Sequence, residues 1–296
     1  MSQSETSRNE PLYPYDPAIY RGTAAHYRAG RPPYSDELEA TLAEIVGLDG
    51  KGRLLDVGCG PGILAMRLAT FFEDVVGLEP DLDMLAEASR HAADDGVANV
   101  RWVQGVAEDL PDVAPGPYRL VTFGQSFHWT KGEQAAEAVF DLLEPGGAMA
   151  LIGHAARDRP QPPNPGHPEI PDREMVVLVE KYLGPTPKRA LQRFNAGDKH
   201  GYGEILAKTR FGYPEVFFAS GRADLVVDID GVLTRYFSTS TGAQHLFGSR
   251  LDDFKAEARQ LLSERSSTGL FWVWPGDTEI VLARKPDNAR DPRPDL

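Results

Sequence analysis

Three glycines at alternate positions, Gly58, Gly60 and Gly62, follow the apolar pair Leu54-Leu55 and the acidic Asp56. Glycine in such a turn lets the backbone pass close beneath a ligand, because a Cβ there would collide with it. Seventeen residues after Gly62 stands Glu79, closing a second apolar run, Asp74 to Leu78. An acidic side chain in that place can accept both hydrogen bonds of a ribose diol. Glycine turns also serve dinucleotide-binding proteins, and the spacing separates the two cases. The pattern here is G-x-G-x-G, whereas the dinucleotide fingerprint is G-x-G-x-x-G, a longer turn shaped for a pyrophosphate.

Further residues with chemical potential follow. Phe123-Gly124-Gln125-Ser126-Phe127-His128-Trp129 comes directly after an apolar run, and ligands of open α/β sheets lie at the carboxyl ends of strands. An imidazole with an ordinary pKa near 6.5 is suited to take up a proton. His128 is therefore a candidate general base, or else it packs the loop together with Trp129. His154 is a second candidate and His200 a third. Near the N-terminus Tyr13, Tyr15, Tyr20, Tyr27, Arg31 and Tyr34 form an aromatic stretch. These residues either pack around a first helix or close over a ligand, and aromatic faces attract a cation.

The elements that must position these residues alternate. Strands are expected at 53–57, 74–78, 100–103, 118–123 and 148–153, with helices at 63–71, 81–92 and 131–143 between them. Leu38, Leu42, Ile45 and Val46 mark an earlier helix that Ser35 could cap. Strand–helix units of this length predict a parallel sheet covered on both faces. The rhythm breaks at Arg157, where five prolines fall within residues 157–168, and a segment this long reads as a cap. Strand-like text returns at 215–219 and 224–227, followed by helices at 228–237 and 251–262. Runs at 271–274 and 279–283 flank Pro275-Gly276-Asp277 and predict an antiparallel pair at the sheet edge. The expected division is a tail at 1–10, a Rossmann-like core with an N-terminal lid at 11–156, a cap at 157–213, the rest of the core at 214–285 and a tail at 286–296.

The 296 residues carry 31 basic and 44 acidic side chains, a net charge of −13 without a Lys/Arg block. That argues against a nucleic-acid partner. No apolar run approaches the roughly 20 residues that cross a bilayer, and residues 1–10 lack the apolar segment of a secretory signal. One cysteine supports neither a disulfide framework nor a cysteine zinc site. A cytoplasmic protein with no membrane partner and no bound metal is expected.

The segment 56–62, Asp-Val-Gly-Cys-Gly-Pro-Gly, resembles the first signature motif of class I S-adenosylmethionine-dependent methyltransferases. Val76 to Asp81 with Met84-Leu85-Ala86 resembles the second. Gln104 to Pro111 is similar to the segment that lines the adenine, and 120–129 and 142–147 to those around the fourth and fifth strands. The resemblance covers residues 20–155. It implies a Rossmann-like, mostly parallel seven-stranded sheet with an antiparallel edge pair and an inserted cap. The cofactor it implies is S-adenosylmethionine.

Residue by residue, the resemblance sets Gly58, Gly60 and Gly62 against the methionine and ribose portions. Asp56 holds the turn or meets the amino group, and Glu79 takes the ribose hydroxyls. Pro80 and Met84 pack on the adenine, Ala107 offers it a backbone amide, and Glu108 stands nearby. Many relatives carry an acidic residue just before that alanine, where this chain has Val106. Gln125 is assigned to the methionine end, with Tyr27 and Arg31 reaching the carboxylate. Tyr13, Tyr15, Tyr20 and Trp129 face the acceptor.

The expected reaction is methyl transfer to an O, N or C atom of a small molecule, a secondary metabolite being one candidate, by a monomer or homodimer. Rival readings are a cyclase using the same site and a non-catalytic binding protein.

Overall fold

The computed structural model describes residues 20–155, 161–185 and 201–287. Strand β1 (Arg53–Val57) turns successive side chains to opposite faces, and both faces are dry. Leu55 and Val57 join one core with Val76, Leu78, Val121, Phe123, Met149 and Leu151. Leu54 joins the other with Val75, Leu120, Ala148, Ala150 and Ile152. A strand buried on both sides reads as a continuous apolar run, and this is why 54–57 shows no alternation.

Around β1 lie β2 (Asp74–Glu79), β3 (Val100–Gln104), β4 (Tyr118–Gly124) and β5 (Leu143–His154), all parallel. Two later strands, β6 (Glu215–Ala219) and β9 (Thr278–Arg284), complete the order β3-β2-β1-β4-β5-β9-β6. Strand β9 runs antiparallel to both of its neighbours. Helices α2 (Leu38–Val46) and α3 (Ile63–Leu68) cover one face through Leu38, Leu42, Leu64 and Leu68. Helix α5 (Gly132–Leu142) covers the other through Ala135, Ala136, Val139 and Leu142. Short helix α7 (Tyr202–Leu206) adds Leu206 to that side. Helix α4 (Leu82–Asp94) follows β2, its first turn capped by the Asp81 carboxylate, which accepts from the amides of Asp83 and Met84.

The antiparallel edge pair is thus β6 with β9, not 271–274 with 279–283. Strand β8 (Leu270–Trp272) instead pairs with β7 (Val226–Asp228) in a separate two-stranded ribbon. The Trp272 indole donates to the Ala223 carbonyl at 2.8 Å, fixing that arrangement. Ser35 is not the cap of α2, which begins at Leu38. Its hydroxyl accepts from the Glu37 amide and donates to the Ser220 carbonyl, tying the entry of α2 to the end of β6.

A third core stands beside the sheet. Helices α6 (Asp172–Leu183), α8 (Ile229–Phe237) and α9 (Leu251–Arg265) bury Met175, Leu178, Val232, Phe237, Phe254 and Leu262 together. Phe247 stacks on Phe254 with 4.2 Å between ring centroids. Helix α1 (Ala24–Gly30) bridges this core and the sheet layer. On one side His26 lies 5.7 Å from the Phe237 ring, and on the other Arg28 pairs with Asp95 at 2.6 Å.

Candidate functional site

The carboxyl ends of β1, β2 and β4 open onto a cavity of about 320 Å³. Its wall includes Gly58, Gly60, Glu79, Pro80, Met84, Gly105 to Glu108, Gly124 to Ser126, Tyr20, Tyr27 and Trp129 to Lys131. The structure therefore gathers Tyr20, Tyr27, Gly58, Gly60, Glu79, Pro80, Met84, Ala107, Glu108, Gln125 and Trp129 in one place. Val57, Gly105, Val106, Gly124, Ser126, Thr130 and Lys131 join them. Most of these were missed because small or polar residues in loops carry no periodic signal, and Val57 because it reads as core at the end of β1.

The three glycines do different work, although each has a left-handed backbone, with φ of +66, +55 and +78°. A Cβ on Gly58 would fall 2.6 Å from the Ser126 side chain, and one on Gly62 2.4 Å from the Trp102 ring. Only at Gly60 is there room, the nearest atom being on Tyr27 at 4.0 Å. Gly62 is not among the residues lining the cavity, and the space a Cβ would take there is filled by the Trp102 ring.

Glu79 is bound into the turn. Its Oε2 accepts from the Gly60 amide at 2.9 Å and its Oε1 from the Asp81 amide at 3.2 Å. Burial pushes its carboxyl up to about 7, against the pull of those two amides. Asp56 lies beneath the turn rather than in the wall. Its Oδ1 accepts from the Thr122 hydroxyl at 2.8 Å, while Oδ2 is buried without a partner. Burial pushes this carboxyl up to about 7 as well, the Thr122 hydroxyl and the Ala65 backbone amide opposing. A cation in the cavity would draw Glu79 in its wall and Asp56 beneath it toward the ionised state.

Gln125 is the one non-glycine residue with a left-handed backbone among those described, at φ +57°. Its amide donates to the Ile152 carbonyl at 2.9 Å. Such strain is held by surrounding structure and concentrates at functional sites. The aromatic wall is built edge to face, with Tyr20 6.2 Å from both Tyr27 and Trp129. Arg31 stacks over Tyr27 at 4.5 Å. Its Nε is buried without a hydrogen bond, and the residue stands behind the wall rather than in it.

His154 also lies outside the cavity, beside a small hollow of about 30 Å³ that it shares with Gln125 and Tyr202. Its ring stacks on Tyr34 at 5.4 Å, and burial pushes its pKa down to about 4. So weak a base is poorly suited to remove a proton at neutral pH. His128 is adjacent to the wall, its ring 5.0 Å from that of Trp129. Tyr13, Tyr15 and His200 fall outside the described residues. Among the described residues no cluster of three or more His, Cys, Asp or Glu is placed to hold a metal. No described helix is long and apolar enough to cross a membrane.

Comparison with known proteins agrees with this geometry. Residues 54–147 match the family described as a methyltransferase domain. The ubiquinone biosynthesis O-methyltransferase of Pectobacterium carotovorum subsp. carotovorum is 40% identical over 102 residues, 34% of this chain and 42% of that one. The probable S-adenosylmethionine-dependent methyltransferase CRG1 of Saccharomyces cerevisiae is 27% identical over 129 residues, 43% of this chain and 44% of that one. The matches thus span less than half the length of these curated relatives. A solved structure described as "Conversion of a Disulfide Bond into a Thioacetal Group during Echinomycin Biosynthesis" superposes with a TM-score of 0.50. It is 16% identical and covers 92% of each chain, a likeness of fold. The segment 54–147, which is similar to a methyltransferase domain, is set in the seven-stranded sheet, and in it the chain resembles class I S-adenosylmethionine-dependent methyltransferases.

Proposed function

We propose that this protein transfers the methyl group of S-adenosylmethionine to an oxygen, nitrogen or carbon atom of a small organic acceptor. The observation that carries the reading is the floor of the cavity. Gly60 alone of the three glycines leaves its Cβ position open, and the Glu79 carboxylate is tied to the Gly60 amide beside that space. Asp56, buried beneath the turn, fits a ligand that carries an ammonium group reached through a water.

When bound, the cofactor supplies a methyl carbon already activated by its sulfonium. The chain contributes alignment and exclusion of water, and proximity alone is worth about 7–11 kcal/mol in favourable cases. Glu79 holds the ribose diol, while Pro80 and Met84 pack on the base. Gln125 meets the methionine end, its strained backbone aiming the side chain from the tip of β4. The faces of Tyr20, Tyr27 and Trp129 favour the positive charge. Arg31, stacked behind Tyr27, holds that ring in place. A neutral amine acceptor needs no base. A hydroxyl acceptor does, and His128, next to Trp129, is the residue assigned to it. The third core, beside the aromatic wall, is assigned as the cover on the acceptor side.

The test is incubation with methyl-labelled S-adenosylmethionine and a panel of phenols, amines and carbon acids, read by mass spectrometry. Release of adenosylhomocysteine with a labelled product supports the reading. Tight binding without release for every acceptor favours a binding protein, and methylthioadenosine points to cyclisation of the aminobutyryl chain.

A further inference from the structure

The wall formed by Gly105, Val106, Ala107 and Glu108 follows directly on β3, beside the ribose-holding end of β2. A purine seated there presents its six-position substituent to this segment. The exocyclic amine of adenine is a donor, and burying it without an acceptor costs about 1–3 kcal/mol. The Val106 side chain offers none. The Asp109 carboxylate is turned back, its Oδ2 accepting from the Val106 amide at 3.3 Å, and Asp109 is not part of the wall. Of the two acidic residues in the wall, Glu79 is assigned to the ribose diol, and its two oxygens already accept from the amides of Gly60 and Asp81.

Glu108 remains. Its Oε1 accepts from the Lys131 amide at 3.1 Å, which fixes the carboxylate between the turn after β3 and the start of α5. Its Oε2 takes no hydrogen bond among the described residues. We propose that Glu108 is the residue that selects adenine, Oε2 accepting the exocyclic amine while Oε1 stays on the Lys131 amide. This rests on the adenosylmethionine reading above. An ionised carboxylate only accepts hydrogen bonds. It therefore repels a base with a carbonyl oxygen at the six position, as in hypoxanthine. The discrimination moves from the position before Ala107 to the position after it.

The test is calorimetric titration of the full chain with S-adenosylhomocysteine and with S-inosylhomocysteine. The wild type should bind the adenine compound about 10–100-fold more tightly, the range of a charge-assisted hydrogen bond. Glu108→Gln keeps an acceptor for the Lys131 amide and gains an NH₂ that can donate to the hypoxanthine oxygen. It should bring the two affinities within about threefold of each other, given that one donor replaces one acceptor. A merely structural role for Glu108 would weaken both ligands alike and leave their ratio unchanged. Equal affinity of the wild type for the two compounds overturns the proposal without any variant. So does a ratio that survives Glu108→Gln while S-adenosylhomocysteine still binds, and the cofactor reading then stands. Failure of the wild type to bind S-adenosylhomocysteine at all overturns both.

Discussion

The carboxylate of Glu79 accepts a hydrogen bond from the backbone amide of Gly60 at 2.9 Å, joining the end of β2 to the glycine turn after β1. One residue thus shapes the turn and faces the cavity that the turn encloses. Glu79→Ala should weaken S-adenosylmethionine binding by about 1.5–3 kcal/mol, the worth of a charge-assisted acceptor. Glu79→Gln, which still accepts from Gly60, should lose less. Calorimetry is the measurement, and equal affinities in all three proteins would remove Glu79 from the site.

The glycines of the turn should separate in a comparison of stability with binding. Gly62→Ala drives a methyl group into the Trp102 ring and should destabilise the fold by about 1–3 kcal/mol. A smaller residue at Trp102 in the same chain should recover part of the loss. Gly60→Ala carries the same left-handed strain without the clash, and its methyl group enters the cavity. It should unfold closer to the wild type in urea yet bind S-adenosylmethionine far more weakly. The reverse ranking would show that the open side of the turn had been misassigned.

How much of this was legible beforehand differs between fold and site. Strands β1, β2, β4 and β5 announced themselves because a strand buried on both faces must be largely apolar, and the glycine turn because its spacing is unusual. The partnership of β6 with β9 did not. Nothing local in Val226 to Asp228 or Leu270 to Trp272 says that these segments pair with each other away from the sheet. The division of labour among the three glycines was hidden as well. It depends on Trp102, forty residues downstream of Gly62, and on Ser126. His154 read as a base from its place at the end of a strand, but burial against Tyr34 is a tertiary fact.

Stability should respond to pH through Asp56. Its folded-state pKa is raised to about 7, above the ordinary value of about 3.9 expected when unfolded. Between those values the folded chain holds more protons than the unfolded one. This group therefore lowers stability as pH rises from about 4 to 7, with no further loss above that window. Asp56→Asn preserves an acceptor for Thr122 and removes the titration. Thermal unfolding of the variant should show a melting temperature that falls less, or rises more, over the same window. Parallel curves for the two proteins would refute the buried-acid assignment.

His154 should be silent where a base would speak. With its pKa near 4, its ring proton resonances should stay fixed between about pH 5.5 and 8, where an ordinary imidazole titrates. His154→Phe keeps the stack on Tyr34 and should leave cofactor affinity unchanged. His128→Gln is the contrasting substitution. With a hydroxyl acceptor it should lower turnover by about 10²–10⁴-fold while cofactor affinity holds. A drop of less than tenfold, with a pH–rate profile flat between 6 and 8, would reduce His128 to packing.

Helix α1 brings Tyr27 to the cavity wall while its other contacts are divided, Arg28 reaching Asp95 after α4 and His26 lying against Phe237 of α8. The consequence is for recombination. A chimera that exchanges the α6–α8–α9 unit for that of a relative, hoping to import a new acceptor preference, replaces the surface on which α1 rests. The cofactor wall would be disturbed by a swap aimed at the acceptor. The crossover point for such a graft therefore falls after α1, so that residues 20–31 travel with the helices they lie against and only the sheet and its glycine turn stay behind.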